Sequence, residues 1–359
     1  MATIKDVAQD AGVSVGTVSN VLNGGRVGEE RRQRVEESIR RLGYQVNGLA
    51  RGLRTQRTDY VVLILPNISN PFYSTLLQDL ERELALAGKY PLLCISEGNP
   101  EKEIRYLKMA KNNKVDGIIG VSFSDVEEYV DESMAVVSIE RHFPQRIPCV
   151  ACDNFLGGQL AAENLVRRGA TELLFLQTIS SVESEVSRRR DGFEEYCIVH
   201  GIPYSSVSIS ENQVSSVFSA FSARGVIHNV LKVHMEETVN DRRPNGVFAG
   251  ADHLAVVVME ELRAMGYRVP EDVQLIGYDG LRVMNSGGLF VSSIYQDTRA
   301  IAEAGVDCLI RLLNGEQVES VMDLPVRFME GGTTLGLRDP KQSRTGQASG
   351  WDSEKRVRE

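Results

Sequence analysis

The chain reads as a small all-α N-terminal head followed by an α/β body of two lobes, each a parallel sheet with helices on both faces. Three observations predict this. Apolar residues up to Leu42 recur at helical spacing, with no strand-like alternation. From Asp59 onward, short apolar strands alternate with amphipathic helices, the pattern of a parallel sheet built from β-α-β units. That alternation runs through two successive series, and 359 residues exceed the about 100–200 usual for one domain.

In the head, Ile4, Val7, Ala8 and Ala11 form one helical stripe, and Gly12 stands where that helix should end. Ser14 is placed to cap a second helix, with Thr17 three residues on and Val18, Val21 and Leu22 as its buried face. Two short helices joined by Ala11-Gly12-Val13 read as a helix-turn-helix, whose second helix enters the DNA major groove by its N-terminal turn. A third helix, Glu29 to Leu42, buries Val35, Ile39 and Leu42 and carries Arg31, Arg32 and Arg34 on its polar side. Charge agrees. The net charge is −9, yet residues 1–58 hold ten Lys or Arg and six Asp or Glu, which is +4 and leaves −13 for the remainder. A basic head on an acidic body suits a DNA-reading module, and a merely solvated basic helix is the plain alternative.

The body opens with the strand YVVLILP, which stops at Pro66, and the helix SNPFYSTLLQDLERELALAG. PLLCIS, a helix around 101–112, VDGIIGVS, MAVVSIE and PCVACD complete the first series. The second runs through a helix at 156–168, ELLFLQ, a helix at 188–200, the strand VSI, a polar and helical stretch at 213–240, GVFAGA, a helix at 253–265 and VQLIGYD. SSIY adds a further strand. Ligands of such sheets bind at the carboxyl ends of the strands, so polar and aromatic residues there are the candidates. Asn70, Phe72 and Tyr73 follow the first strand; Glu140 and Arg141 end VVSIER; Asp153 ends VACD; Asp279 ends IGYD; Gln296 follows SSIY. Arg189 lies three residues before Gly192-Phe193. Asp153 is equally placed to cap the next helix, Arg141 to pair with Glu140 or another carboxylate, and Phe72 or Tyr73 to join the core. Residues 339–359 are polar, contain Gly and Ser, and have no periodicity, which predicts a disordered tail around the single Trp351.

Catalytic signatures are missing from the sequence. No G-x-G-x-x-G or G-x-x-x-x-G-K-[ST] follows the first strand, the five histidines form no H-E-x-x-H, and the serine-rich 205–222 has no G-x-S-x-G. Cys149 and Cys152 spell C-x-x-C within an apparent strand, without a second pair or a nearby histidine, so reduced core cysteines are expected rather than a metal or redox site. The expectation is a protein that is not an enzyme and uses no cofactor or metal. No run of about 18 apolar residues suggests a transmembrane helix, and MATIKDVAQD lacks a signal-peptide pattern, so a cytoplasmic protein is expected.

TIKDVAQDAGVSVGTVSNVLN, followed by RRQRVEESIRRLGYQVNGLARGL, resembles the head and hinge of the lactose-repressor (LacI/GalR) family of bacterial transcription regulators, and the resemblance continues to about residue 338. It implies a DNA-binding domain at 1–46, a hinge at 47–58 and an effector-binding and dimerisation domain at 59–338. The latter would have the periplasmic-binding-protein type I fold, crossed three times by the chain: one lobe at about 59–155 and 293–322, the other at about 156–292 and 323–338. Val15, Gly16 and Asn20 would face bases, while Thr3, Ser14, Thr17, Ser19 and Asn23 would contact phosphates. Asn47, Ala50 and Leu53 match the family's hinge, whose paired helices enter the minor groove with a leucine wedge. Gly48, Gly52 and the replacement of a frequent proline by Val46 would weaken that helix.

The resemblance further implies a homodimer on double-stranded, near-palindromic operator DNA. A small-molecule effector would be held by Asn70, Phe72, Tyr73, Arg141, Asp153, Arg189, Asp279 and Gln296. A sugar or sugar phosphate is expected, with a nucleobase, a nucleoside or a protein co-regulator as the alternative. Three departures bear on specificity. Asn20 replaces a frequent arginine and suits adenine rather than guanine. Ala251 replaces a frequent asparagine, and Glu140 a shorter Asp. The family's tetramer-forming leucine heptads are missing, which favours a dimer.

Overall fold

The computed structural model describes residues 2–22, 24–44, 58–121, 124–131, 133–143, 147–179, 184–210, 220–236, 243–281 and 288–337. Asn23, the hinge positions Asn47, Ala50 and Leu53, and the tail from 339 lie outside the described residues. The chain divides into two compact units, Met1–Asp59 and Tyr60–Glu359.

The first unit holds α1 (Ile4–Asp10), α2 (Val15–Leu22) and α3 (Glu29–Leu42). Thr3 and Asp6 make a reciprocal capping box at the start of α1, with Thr3 N donating to Asp6 Oδ2 at 2.7 Å and Asp6 N to Thr3 Oγ1 at 3.3 Å. Gly12, at φ +63°, turns the chain into α2, where Ser14 Oγ accepts from Thr17 N at 3.1 Å. Gly43, at φ +59°, closes α3. Val7, Val18 and Val35 meet at the centre with no exposure, joined by Ala8, Ala11 and Val21. Asp10 fastens α1 to α3 through Ser38 and Arg41.

The second unit has two six-stranded sheets. The first sheet contains β1 (Tyr60–Leu65), β2 (Tyr90–Ile95), β3 (Gly117–Gly120), β4 (Ala135–Ile139), β5 (Cys149–Cys152) and β11 (Val321–Leu324). Their order is β11-β5-β4-β3-β1-β2, and every pairing is parallel. The second contains β6 (Leu173–Ile179), β7 (Tyr204–Ser210), β8 (Gly246–Ala249), β9 (Gln274–Asp279), β10 (Ser292–Tyr295) and β12 (Arg327–Met329). Here the order is β12-β10-β9-β8-β6-β7, with only β12 antiparallel. Helices α4 (Pro71–Leu86), α5 (Pro100–Asn112), α6 (Asn154–Arg167), α7 (Arg188–His200), α8 (Ala220–Glu236), α9 (Asp252–Ala264) and α10 (Thr298–Leu313) cover the faces. Leu76, Leu80 and Leu84, four residues apart on α4, are fully buried.

The chain crosses between the sheets after β5, after β10 and after β11. The second crossing lies later than the resemblance implies: Ser293, Ile294 and Tyr295 pair with Gly277, Tyr278 and Asp279 of β9, so they belong to the second lobe. Asp323 and Leu324, in turn, pair with β5 of the first. A four-residue strand carries no mark of which sheet it joins; side-chain bonds such as Ser293 Oγ to Asp252 decide it. Strand β7 is also longer than VSI, because an edge strand with half-exposed serines reads as loop. The helix in 213–240 is placed at Ala220–Glu236.

Glycine sets the contact of α6 with α7. A Cβ on Gly158 would collide with the Arg189 carbonyl, and one on Gly192 with the Phe155 carbonyl. Among the described residues no helix is long and apolar enough to cross a membrane.

Candidate functional site

Two surfaces carry the candidate residues, one in each unit. In the head, the first turn of α2 presents Val15, 40% exposed, with Ser14 and Gly16 also in solvent. The Ser14 and Thr17 hydroxyls lie 3.0 Å apart beside the free amides of that turn, a set of donors suited to phosphate. Asn20 is exposed on the same helix. Thr3 is exposed, though its hydroxyl is already bonded to Asp6. Ser19 departs from expectation. It is 7% exposed, because the buried face of α2 widens from Val18 to take in its neighbour.

In the body, strand ends from both sheets converge. Asn70 caps α4, accepting from Phe72 N at 3.0 Å, and its Nδ2 lies 3.5 Å from His253 Nδ1 at the start of α9. That contact joins an element of the first lobe to one of the second. Phe72 packs into the core at 6% exposure, edge-on to Tyr73 at 5.4 Å, whereas Tyr73 stays half-buried. Asp153 Oδ1 accepts from Leu156 N at 2.9 Å and so caps α6.

Arg189 is the centre of the group. Its Nε donates to Asn154 Oδ1 at 2.7 Å, its Nη1 to the Gly250 carbonyl at 2.6 Å, and its guanidinium lies 3.6 Å over the Tyr278 ring. Glu140, held at φ +60°, accepts from Cys152 N at 3.0 Å and Asn154 Nδ2 at 2.7 Å. Burial raises its affinity for a proton, and the Arg189 charge opposes this. Asp279, at φ +120°, accepts from Gln296 Nε2 at 2.9 Å; burial pushes its carboxyl up to about 7 against the pull of Arg189. Asp252 is raised as well, by burial and by the charge of Asp279, while Ser293 Oγ and Leu281 N each donate to it at 2.7 Å. Burial, then Arg189, drives His253 down to about 4, so its imidazole is neutral at ordinary pH. Glu140 and Asp279 thus bring two sparsely populated backbones into one cluster, a strain that the packing around them sustains.

Arg141 does not join this cluster. Its guanidinium donates to the Ser124 carbonyl, lies 3.7 Å from Asp125 and sits 4.5 Å over Phe143. Glu140, at φ +60°, breaks the extended course of β4, and Arg141 beyond it turns to Ser124 and Phe143 instead. Sequence reasoning missed Asn154, Tyr278 and His253. Tyr278 reads as one more apolar residue of IGYD, and Asn154 falls before the helix expected at 156–168; adjacency to the strand-end aspartates Asp279 and Asp153 is the one signal for these two, and His253 has none. Cys149 and Cys152 are buried in β5, and burial raises both thiols, Cys149 to about 12.

Several polar atoms of this cluster have no hydrogen-bond partner among the described residues: Gln296 Oε1, Asn67 Nδ2, His253 Nε2 and Tyr278 OH. Such a group offers donors and acceptors to a small polar molecule beside an apolar wall. Among the described residues Arg189 is its single cation, set against Glu140, Asp252 and Asp279.

Comparison with known proteins gives matches over both units. The family model described as "Bacterial regulatory proteins, lacI family" matches residues 3–47. The model for a periplasmic binding protein-like domain matches 162–334. A sucrose operon repressor from Streptococcus mutans serotype c is 30% identical over 340 residues, covering 92% of this chain and 99% of the relative. A ribose operon repressor from Halalkalibacterium halodurans is 30% identical over 339 residues, covering 94% and 98%. Among solved structures, a periplasmic binding protein/LacI transcriptional regulator from Alkaliphilus metalliredigens complexed with D-xylulofuranose superposes with a TM-score of 0.63 at 25% identity, over 77% of this chain and 100% of that one. The lac repressor dimer bound to operator and the anti-inducer ONPF shares the fold, with a TM-score of 0.79 at 22% identity over 93% and 99%.

Proposed function

Because the chain belongs to the lacI family of bacterial regulatory proteins, we propose that it is a ligand-responsive, sequence-specific DNA-binding regulator of carbohydrate-related genes. It acts as a homodimer on a near-palindromic operator, protein two-fold symmetry being matched by paired half-sites. Helix α2 is the recognition helix. Val15, Gly16 and Asn20 read bases, while Ser14 and Thr17, with Thr3 nearby, hold phosphates. Residues 1–46 form the DNA-binding domain, 47–58 the hinge and 59–338 the effector-binding body.

The effector lies at the strand ends around Arg189, Asp279 and Gln296, with Tyr73 as an aromatic neighbour and Asn70 and Asp153 at the rim. The observation that carries this reading is the set of buried donors and acceptors left over at that cluster. Its chemical class follows from charge. Arg189 already serves Asn154 and Gly250, so a phosphate dianion finds no free guanidinium fork, and the buried carboxyls beside it, raised toward their neutral forms, offer hydroxyl-matching donors and acceptors rather than a second cation. A neutral polyhydroxylated sugar fits instead, its hydroxyls both giving and accepting. Relatives named for sucrose and ribose operons and a relative holding D-xylulofuranose support the same class.

The test is operator selection from random duplexes, followed by titration with sucrose, D-ribose and D-xylulose and with the 5-phosphates of the two pentoses. A neutral sugar is expected to change operator affinity roughly 5- to 150-fold, the usual range for allosteric coupling. A response to a phosphorylated sugar alone overturns the choice of class, and failure to select any duplex at low salt overturns the regulator.

A further inference from the structure

We infer that Asn154 is a positioning residue that joins the two lobes, tying the Glu140 carboxylate of the first to the Arg189 guanidinium of the second. The inference rests on the reading above that Arg189 serves the effector, and adds how its orientation is linked to the setting of the lobes.

Asn154 is the first residue of α6, where the chain leaves β5 for the second lobe, and is 1% exposed. Its Nδ2 donates to Glu140 Oε2 at 2.7 Å and to the Cys152 carbonyl at 3.0 Å, and its Oδ1 accepts from Arg189 Nε at 2.7 Å. Only one orientation of the amide satisfies all three, because a carbonyl and a carboxylate can only accept here and a guanidinium can only donate. The side chain therefore has no second rotamer by which to keep its partners.

Both ends of the link are fixed to different bodies. Glu140 is held in the first lobe by its backbone, with N donating to the Val150 carbonyl at 3.0 Å, and by Cys152 N on Oε1 at 3.0 Å. Asn154 and Arg189 move with the second lobe, since α6 and α7 are pressed together at Gly158 and Gly192. Of the contacts that cross the boundary, which include Asn70 with His253 and Glu185 N donating to the Glu140 carbonyl at 3.2 Å, the one that also reaches Arg189 through the same side chain is Asn154 Nδ2 to Glu140 Oε2. A rotation of the lobes that parts this contact strands a buried amide and a buried carboxylate, and removes what aims Oδ1 at Arg189. Buried polar links of this kind have two discrete states rather than a gradual give, which is what a switch between lobe arrangements requires.

The experiment is a double-mutant cycle in the full-length dimer. Glu140→Gln gives Cys152 N and Asn154 Nδ2 only one acceptor between them, so the link is mismatched without a change in size. Asn154→Ala removes the link outright, and E140Q/N154A alters both of its ends. Two readouts are taken: operator affinity by fluorescence anisotropy, and amide exchange by mass spectrometry over residues 138–142 and 186–193. E140Q and N154A are expected to shift operator affinity at least about fivefold, the lower end of allosteric coupling, and to speed exchange in both segments. In the double variant E140Q/N154A the shift in operator affinity is expected to stay within about twofold of the larger single shift, because both changes break one contact. Unchanged operator affinity in E140Q and N154A, or additive shifts in the double variant, overturns the inference and leaves Asn154 a packing residue. If the parent selects no operator, the regulatory reading falls by itself. The exchange data then still decide whether the link exists.

Discussion

Asp279 is a carboxylic acid held near neutrality by its surroundings, and this gives the body a distinctive pH behaviour. Its affinity for a proton is raised by burial from the ordinary 3.8 to about 7, so between those values the folded chain keeps a proton that the unfolded chain releases. Stability from this group is therefore full below about pH 4 and declines as pH rises through 7. His253, driven down to about 4, acts in the other sense and costs stability as pH falls below its ordinary 6.5. Asp279→Asn removes the first trend, together with the part of the rise at Asp252 that comes from the Asp279 charge, and leaves that of His253. Urea midpoints of the variant, relative to the parent, are expected to rise steadily between about pH 4 and 7, and a constant difference would contradict the assignment. At the other end of the molecule, exposed Asn20 on α2 suits adenine, through N6 and N7. Asn20→Arg is expected to move the preferred base there to guanine, with discrimination of about 1–3 kcal/mol, checked by selection with both proteins. That Arg189 and Asp279 meet was legible, because a helix start and a strand end of one α/β lobe face the same side. Arg141 and Ser19 were not: each sits one residue from a correctly placed neighbour, and side-chain direction is settled by packing that spacing does not reveal.

Among the elements, α6 and α7 are the pair whose sequence says least about their importance. Their close approach depends on Gly158 and Gly192, where any Cβ meets backbone rather than a yielding side chain. Gly158→Ala is expected to destabilise the body by about 1–3 kcal/mol as an overpacked contact, and to push the Arg189 backbone outward. Chemical denaturation checks the first, and loss of the sugar response at unchanged dimerisation the second. Five strands of the first sheet were readable as apolar runs, since a parallel sheet covered on both faces needs no alternation, whereas β11, VMDL, is short, half-exposed and was not read as a strand. Strand β7 was underestimated because Ser205, Ser206 and Ser208 sit half-exposed on an edge, and β10 was given to the wrong lobe because sheet membership is a long-range pairing. Helix starts carry a plain local signal at Asn70-Pro71 and Asn99-Pro100, each combining a capping amide with a proline that needs no hydrogen bond there, yet α10 (Thr298–Leu313) was not read from the sequence.

At the scale of the whole chain, charge is divided by task, with +4 on residues 1–58 and −13 on the rest. The acidic body discourages unselective clinging to nucleic acid, so attraction comes from the head and is screened accordingly. A dimer neutralising six to ten phosphates is expected to lose roughly 10³–10⁵ in operator affinity between 50 and 200 mM salt. Anisotropy titrations across that range test it, and a flat response would mean that the contacts are not to phosphate. The division into head and two-lobed body was legible in outline, whereas the positions of the crossings were not. The three crossings also constrain how the protein is made. Strand β5 is synthesised early, yet its outer neighbour β11, Val321–Leu324, leaves the ribosome only after nearly all of the second lobe. Until then the nascent first sheet carries an unfinished border beside β5, open to mispairing with another chain on the same message. Neither lobe can be excised as one continuous fragment, so a truncation that stops before Val321 is expected to damage the lobe it appears to leave intact.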